Sequence, residues 1–318
     1  MSFDLNTIRA AAERIAPYIV ETPMIRLPGL DRYLGCEVYG KAECMQVTGA
    51  FKYRGVMSKV LSLSKEELAR GVVAASSGNH GKALSYAAKM LGIPALIVIP
   101  YGTPAVKVEA IRSLGAEIVQ CEAVDRFDVA ARICEERGAV MIPPYNDEFV
   151  MAGQGTAGLE IVKQKPDLDA VVVPVSGGGL ISGIATAVKG LAPRIKVIGA
   201  EPAVLPRYTA SLAAGEPTAV PPSRTVADAL VSNRPGPLCF PFVAKNVDRF
   251  VTVDEEWIPK AQKMLLLEGK IAAEASSAIG MAAVLQGKLS FEPQQKVCFV
   301  ISGGGVGAEQ LAKILTEE

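Results

Sequence analysis

One lysine, Lys52, stands in the run Thr48-Gly49-Ala50-Phe51-Lys52-Tyr53-Arg54-Gly55, bounded on both sides by glycine. Lysine is the amine with which enzymes form Schiff bases to carbonyl compounds, although most lysines are solvated surface charges on a flexible stem. Two further segments bear on it. Ser76-Ser77-Gly78-Asn79-His80-Gly81 follows one apolar run, and Ser176-Gly177-Gly178-Gly179-Leu180 follows another. All three read as strand-to-helix turns. Ahead of a helix, the Ser176–Gly179 run can surround a phosphate with backbone N–H groups and the helix N-terminus, with no side chain in the way. The same run also reads as a tight turn without a ligand.

Several chemistries lose support on inspection. No Gly-x-x-x-x-Gly-Lys-Ser/Thr loop is present, and no Gly-x-Gly-x-x-Gly follows the first strand of either βα set. His80 is the only histidine and no Gly-x-Ser-x-Gly elbow exists, which argues against a serine hydrolase. A zinc centre would need more imidazole or clustered thiols than this chain has, so no metal is expected. A lysine nucleophile, a phosphate cradle and a turn of hydroxyl and amide donors together match the needs of a phosphorylated aldehyde cofactor. That cofactor is pyridoxal phosphate, whose ring serves as an electron sink for a carbanion at a substrate's α-carbon.

The elements that must position these residues alternate. Val72–Ala75, Ala95–Pro100, Glu117–Cys121 and Val140–Met141 are short apolar runs, interleaved with helical patterns at 83–91, 106–114 and 129–136. Continuous Val, Ile, Leu and Ala suit strands buried on both faces of a parallel sheet. A second set follows Pro143-Pro144: a helix near 155–163, a strand at 170–175, a helix at 181–191, a strand at 196–201, and a last strand at 296–301 before a closing helix. Open α/β sheets bind ligands at the carboxyl ends of their strands, where these turns would converge. The stretch 213–254 is rich in proline and glycine and reads either as an active-site wall or as a long surface connection.

A length of 318 residues suggests about two domains of roughly 150 residues each. Lysine plus arginine equals aspartate plus glutamate, 33 against 33, so no basic field favours nucleic acid as a partner. The six cysteines lie far apart and read as reduced, buried thiols. Met1–Asn6 lacks the basic start of a signal peptide, and no apolar stretch approaches the roughly 18 residues of a membrane span. A cytoplasmic protein, with no membrane partner, is expected.

In the motifs Thr48–Gly55, Ser76–Gly81, Ala152-Gly153-Gln154-Gly155-Thr156, Val175–Gly179 and Ser302-Gly303-Gly304, in this order, the chain resembles the threonine dehydratase and serine racemase group of pyridoxal-phosphate enzymes. The resemblance runs from about Ile19 to the C-terminus. It implies an α/β fold of the tryptophan-synthase-β type (fold type II), with parallel-rich sheets flanked by helices and the cofactor in an interdomain cleft. The large, cofactor-binding domain would comprise residues 1–68 and 147–318, and a small mobile domain residues 69–146. It further implies that Lys52 carries the cofactor and removes the substrate's α-proton, and that Asn79 bonds the cofactor's 3′-oxygen. Ser76, Ser77, Asn79 and His80 would hold the substrate's α-carboxylate. Ser176, Gly177, Gly178, Gly179 and Leu180 would form the phosphate loop, Phe51 would line the cofactor, and Ser302 would meet the pyridine nitrogen with a neutral hydroxyl.

The activity implied is conversion of a β-hydroxy amino acid (serine, threonine, 3-hydroxyaspartate or similar) to a keto acid and ammonia. The alternative is an amino-acid racemase in which Ser77 works opposite Lys52. Arg126 matches an arginine that some members place near the substrate's side chain, and reads equally as a solvated helix-start residue. Tyr145 reads either as a pocket residue or as a turn aromatic. Gly305 replaces the family's usual asparagine. Many members bind a divalent metal through a glutamate and an aspartate six residues on; here these positions are Glu201 and Arg207, so the expectation is no metal and an Arg207–Glu201 pair in its place. The chain ends at Glu318 without the regulatory extension of biosynthetic dehydratases, which suits a catabolic role. A homodimer or homotetramer is implied.

Overall fold

The computed structural model describes residues 3–316; Met1 and Ser2, at the head of the N-terminal stretch read above, and Glu317 and Glu318 lie outside it. Ten strands are described: β1 Met24–Arg26, β2 Glu37–Lys41, β3 Val72–Ala75, β4 Ala95–Pro100, β5 Glu117–Cys121, β6 Val140–Met141, β7 Ala170–Pro174, β8 Lys196–Pro202, β9 Arg249–Val253 and β10 Lys296–Val300. They form two sheets. The six-stranded sheet has the order β1-β2-β10-β7-β8-β9 and the four-stranded sheet the order β5-β4-β3-β6. Only the β1–β2 pair is antiparallel. No helix of the described residues is long and apolar enough to cross a membrane.

The apolar runs behave as sheet interiors because alternate side chains leave opposite faces. On β7, Val171 and Val173 pack toward the Gly179–Leu191 helix, while Ala170 and Val172 pack toward the Ala275–Leu285 helix. On β4, Ile97 and Ile99 enter one core and Leu96 and Val98 the other. The cysteines are free, with Cys44 and Cys134 half-buried and the other four buried.

Two elements depart from the pattern read in the sequence. The helix expected near 155–163 runs from Glu148 to Gln164, starting where the Asp147 carboxylate caps the Phe149 and Val150 N–H groups. Glycines that weaken an isolated helix are required here: a Cβ on Gly155 would stand 2.9 Å from Gly183 Cα of the Gly179–Leu191 helix. The Lys52 turn does not follow a strand directly. Between β2 and the Lys52–Val60 helix lie a short 3-10 turn, Glu43–Met45, and an irregular segment whose Ala50 bridges Gly303.

The Lys52–Val60 helix is the piece that joins the two sheets. Tyr53, Val56, Met57 and Val60 lie in the core of the four-stranded sheet, while Gly153 of the Glu148–Gln164 helix comes so close that a Cβ there would stand 2.4 Å from Arg54 O. Arg54 is fully buried. Its guanidinium pairs with Glu43 (Nε to Oε2, 2.7 Å) and Glu160 (Nη1 to Oε1, 2.6 Å), and Lys41 Nζ reaches the other Glu160 oxygen at 2.6 Å. Thr22 Oγ1 donates to Glu43 and Thr156 Oγ1 accepts from Arg54, so almost every oxygen and N–H of the network is matched.

Removing one partner of such a network strands a buried charge. Arg54→Met is expected to lower the unfolding free energy by about 3–5 kcal/mol, read from denaturant titration of the purified protein. The exposed Arg137–Glu117 pair should matter far less when broken in the same way. Equal small losses would contradict the weight given to Arg54.

Candidate active site

The carboxyl ends of β3, β6, β7 and β10 open toward the start of the Lys52 helix. β3 ends in the turn 76–78 and the Asn79–Leu91 helix, β7 in Ser176–Gly178 and the Gly179–Leu191 helix, and β10 in Ser302. β6 leads into Ile142–Tyr145. Phe51 N donates to Ser302 O at 3.1 Å, which ties the Lys52 turn to the end of β10.

Lys52 Nζ donates to Pro144 O at 2.7 Å and lies 4.9 Å from the centre of the Phe51 ring. The residue as a whole is half-buried, but its amine sits deep enough that burial pulls it down to about 8, against weaker opposing influences from Cys239 and Glu274. An amine in that state is partly unprotonated near neutral pH and so nucleophilic. The Pro144 carbonyl also accepts from Gln154 Nε2 at 3.2 Å.

Next to Pro144, Tyr145 lies over the glycine loop. A Cβ on Gly177 would stand 2.3 Å from the Tyr145 ring, and one on Gly179 would stand 2.5 Å from Gln154 Oε1. Gly178 has φ +104°, which side-chain-bearing residues avoid, and a Cβ there would stand 1.8 Å from Tyr208 Oη. No side chain caps the N-terminus of the Gly179–Leu191 helix. The loop therefore presents backbone N–H groups at a helix start, where a phosphate is well received. Leu180 is buried in the core beneath it, so only its backbone can face a ligand.

Within the stretch 213–254, the segment 230–236 forms a wall against the glycine loop, while the rest includes the Phe240–Asn246 helix and β9. Ser232 N donates to Ser176 Oγ at 3.2 Å, and Gly236 N donates to Gly177 O at 2.8 Å. Tyr145 Oη and Ser232 Oγ are 3.1 Å apart.

On the β3 side, His80 is buried and its Nε2 bonds Ile142 O at 2.7 Å, so the carbonyl accepts and Nε2 carries the proton. Burial, with Lys52 adding to it, pushes the imidazole down to about 3. His80 is a neutral strut between the turn and the Ile142–Tyr145 segment. Ser76 and Ser77 are half-buried in the turn, and Ser76 Oγ accepts from Gly78 N. Asn79 Nδ2 donates to Glu274 Oε2 at 2.9 Å. Ser302 Oγ lies 3.2 Å from Ser277 Oγ, which also accepts from Gly303 N.

Glu274 was not singled out in the sequence. Its carboxyl is buried and pushed upward by burial, against the Asn79 and Gly305 donors that lower it. The available signal was a lone acid immediately before a helix of small residues, Ala275–Leu285. Gly305, by contrast, belongs here for want of a side chain: a Cβ would stand 3.2 Å from both Asn79 Oδ1 and Glu274 Oε2.

Two expectations fare differently. Arg126 does not join the cluster: its guanidinium donates to Ala123 O and lies 4.5 Å from the Phe127 ring. The Arg207–Glu201 pair does not form. Glu201 is already satisfied by Tyr208 N, Thr209 N and Thr209 Oγ1 at the start of the Arg207–Ala214 helix, where a carboxylate is favoured. Arg207 turns instead to the carbonyls of Val175 and Leu230.

Residues 15–303 match the family described as pyridoxal-phosphate dependent enzyme. The chain belongs to that family. A serine racemase of Arabidopsis thaliana is 43% identical over 309 residues, 95% of this chain and 93% of that protein. An L-threonine ammonia-lyase of Thermotoga maritima is 42% identical over 315 residues, 98% of this chain and 78% of that protein. The solved structure of maize serine racemase superposes with a TM-score of 0.93 at 40% identity, over 99% of this chain and 97% of that one. The protein is a pyridoxal-phosphate-dependent enzyme of fold type II, and its glycine loop and buried lysine suit a phosphorylated aldehyde.

Burial of the Lys52 amine sets a pH window. Its folded value is near 8 and its ordinary value 10.5, so between these the unfolded chain holds a proton that the folded amine has lost. The contribution of Lys52 to stability is therefore most unfavourable below pH 8 and recovers as pH rises to 10.5. In cofactor-free protein, the unfolding free-energy difference between wild type and Lys52→Met should narrow over that window. A difference independent of pH would contradict the buried amine.

Proposed function

We propose that this enzyme is an ammonia-lyase of the dehydratase type, which converts a β-hydroxy amino acid such as serine, threonine or 3-hydroxyaspartate to a keto acid and ammonia. The observation that carries the reading is the Lys52 amine, lowered to about 8 beside a glycine loop at a helix N-terminus. When bound, pyridoxal phosphate supplies the electron sink that makes the substrate's α-proton removable.

The chain's own groups supply the rest. Gly177, Gly178 and Gly179 hold the phosphate through N–H groups, and Ser176 fixes their register through Ser232. Asn79, oriented by Glu274, fixes the cofactor ring. Backbone donors of the Ser76–His80 turn hold the substrate carboxylate, with His80 anchoring the turn as a neutral ring. Lys52 takes the α-proton, for which an amine near neutrality is suited. Ser302, a hydroxyl already bonded to Ser277, meets the ring nitrogen without giving it a carboxylate counter-charge. That favours loss of the β-hydroxyl over transamination.

A second reading, racemisation, rests on Ser77. Its hydroxyl makes no hydrogen bond among the described residues and stands on a different element from Lys52, as a second acid or base would require. Arg126 would serve a dicarboxylic substrate only if the four-stranded unit, expected as residues 69–146, carries it toward the cleft. The homodimer or homotetramer, and residence in the cytoplasm, belong to the same proposal.

The test is a panel of serine, threonine and 3-hydroxyaspartate in both stereochemistries, followed for keto acid and for loss of optical activity. Lys52→Ala should lower turnover at least about a thousandfold. Ser77→Ala should lower racemisation roughly a hundredfold or more, while keto-acid release from the favoured stereoisomer persists. Wild-type turnover in the Lys52 variant would sink the mechanism.

A further inference from the structure

Among the largest fully buried side chains, two are arginines, Arg54 and Arg207. Arg54 is paired with two carboxylates. Arg207 forms no ion pair within 4 Å among the described residues, and its Nε is buried without a partner. Its Nη1 donates to Val175 O at 2.8 Å and its Nη2 to Leu230 O at 3.0 Å. Glu201, the nearby acid, spends its oxygens on Tyr208 and Thr209.

A buried cation whose only direct partners are carbonyls is costly unless an anion compensates it. The place where an anion would do so is adjacent. Val175 immediately precedes Ser176, and Tyr208, the neighbour of Arg207, donates its Oη to Gly177 O at 3.1 Å. Leu230 lies in the wall whose Ser232 and Gly236 bond the same loop. Arg207 and Tyr208 thus tie Val175, Leu230 and Gly177 together around the loop by three hydrogen bonds, and set beneath it a guanidinium with no direct ion pair.

We propose that Arg207 is a positioning residue and fixed counter-charge for the phosphate of the cofactor. By this means the site discriminates the phosphorylated cofactor from its dephosphorylated form. The proposal rests on the assignment of Gly177–Gly179 as the phosphate loop. Glycine N–H dipoles alone bind an anion modestly; a full charge in a medium of low dielectric adds to them without crowding the loop. Arg207 suits this role better than a lysine because its fork spans two carbonyls while staying charged.

The test is equilibrium binding of pyridoxal phosphate and of pyridoxal to cofactor-free protein, for wild type, Arg207→Met and Arg207→Lys. Arg207→Met should weaken pyridoxal phosphate about 10- to 100-fold, the scale of a lost charged contact, and pyridoxal much less. Arg207→Lys should keep most of the preference for the phosphorylated form while both ligands bind more loosely. If Arg207→Met does not fold, the lysine variant is decisive: loss of the preference with the charge retained overturns the proposal. Equal weakening of both ligands in a folded Arg207→Met would show a merely structural role and also overturn it. A wild-type protein with no preference for the phosphorylated form would bring down the phosphate-loop assignment itself. A wild-type preference that survives in Arg207→Met removes Arg207 alone.

Discussion

The structure depends on the buried ionic network around Arg54. Two residues after Lys52, Arg54 locks the first turn of its helix to Glu43, from the segment that precedes it, and to Glu160, from the helix that supports the glycine loop. Lys41, at the end of β2, closes the network on the sheet side. Four charges in one interior are expensive to desolvate and tolerate little displacement, which is the property a site needs when its reacting amine has to be held against a long, flexible stem. Because Arg54 fixes the helix start, Lys52 has its position set by backbone and only its stem left to order.

Around that fixed point the site is built from neutral and backbone groups. The amine faces a carbonyl, Pro144 O, and not a carboxylate; an acid there would hold the lysine charged and unreactive. His80 is kept neutral by burial and spent on a carbonyl. The nearest acids act on other groups: Glu274 orients Asn79 and Glu201 caps a helix. Arg207 is buried next to the glycine loop and bonds the carbonyls of Val175 and Leu230. On the proposed roles, the arrangement separates proton chemistry at Lys52 from anion binding at Gly177–Gly179, so that neither upsets the charge state of the other.

Much of this was legible in the sequence where local rules decide. The strands at 72–75, 95–100, 117–121 and 140–141 form within the bounds read from apolar runs; β3 and the interior of β4 are buried on both faces and carry no competing pattern, whereas β5 and β6 are only partly buried. Glycine followed by a helix marked the loop at 177–179. The start of the Glu148–Gln164 helix escaped, since its Gly153 and Gly155 argue against a helix until the close approach of the Arg54 backbone and of Gly183 is known. Glu274 and Tyr208 escaped because contacts over long sequence separations leave no spacing to read. The Arg207–Glu201 pair, expected only because the resemblance puts Arg207 at a metal-ligand position, does not form: the helix N-terminus supplies Glu201 with donors and the guanidinium turns to carbonyls.

The central claim is that Lys52, and no other lysine, holds the cofactor. The direct measurement is reduction of the holoenzyme with borohydride, which fixes the cofactor to its lysine, followed by proteolysis and mass spectrometry of the peptides. The account predicts a single phosphopyridoxyl-bearing peptide, with the added mass on Lys52. Added mass on a different lysine, with Lys52 unmodified in active enzyme, would contradict it.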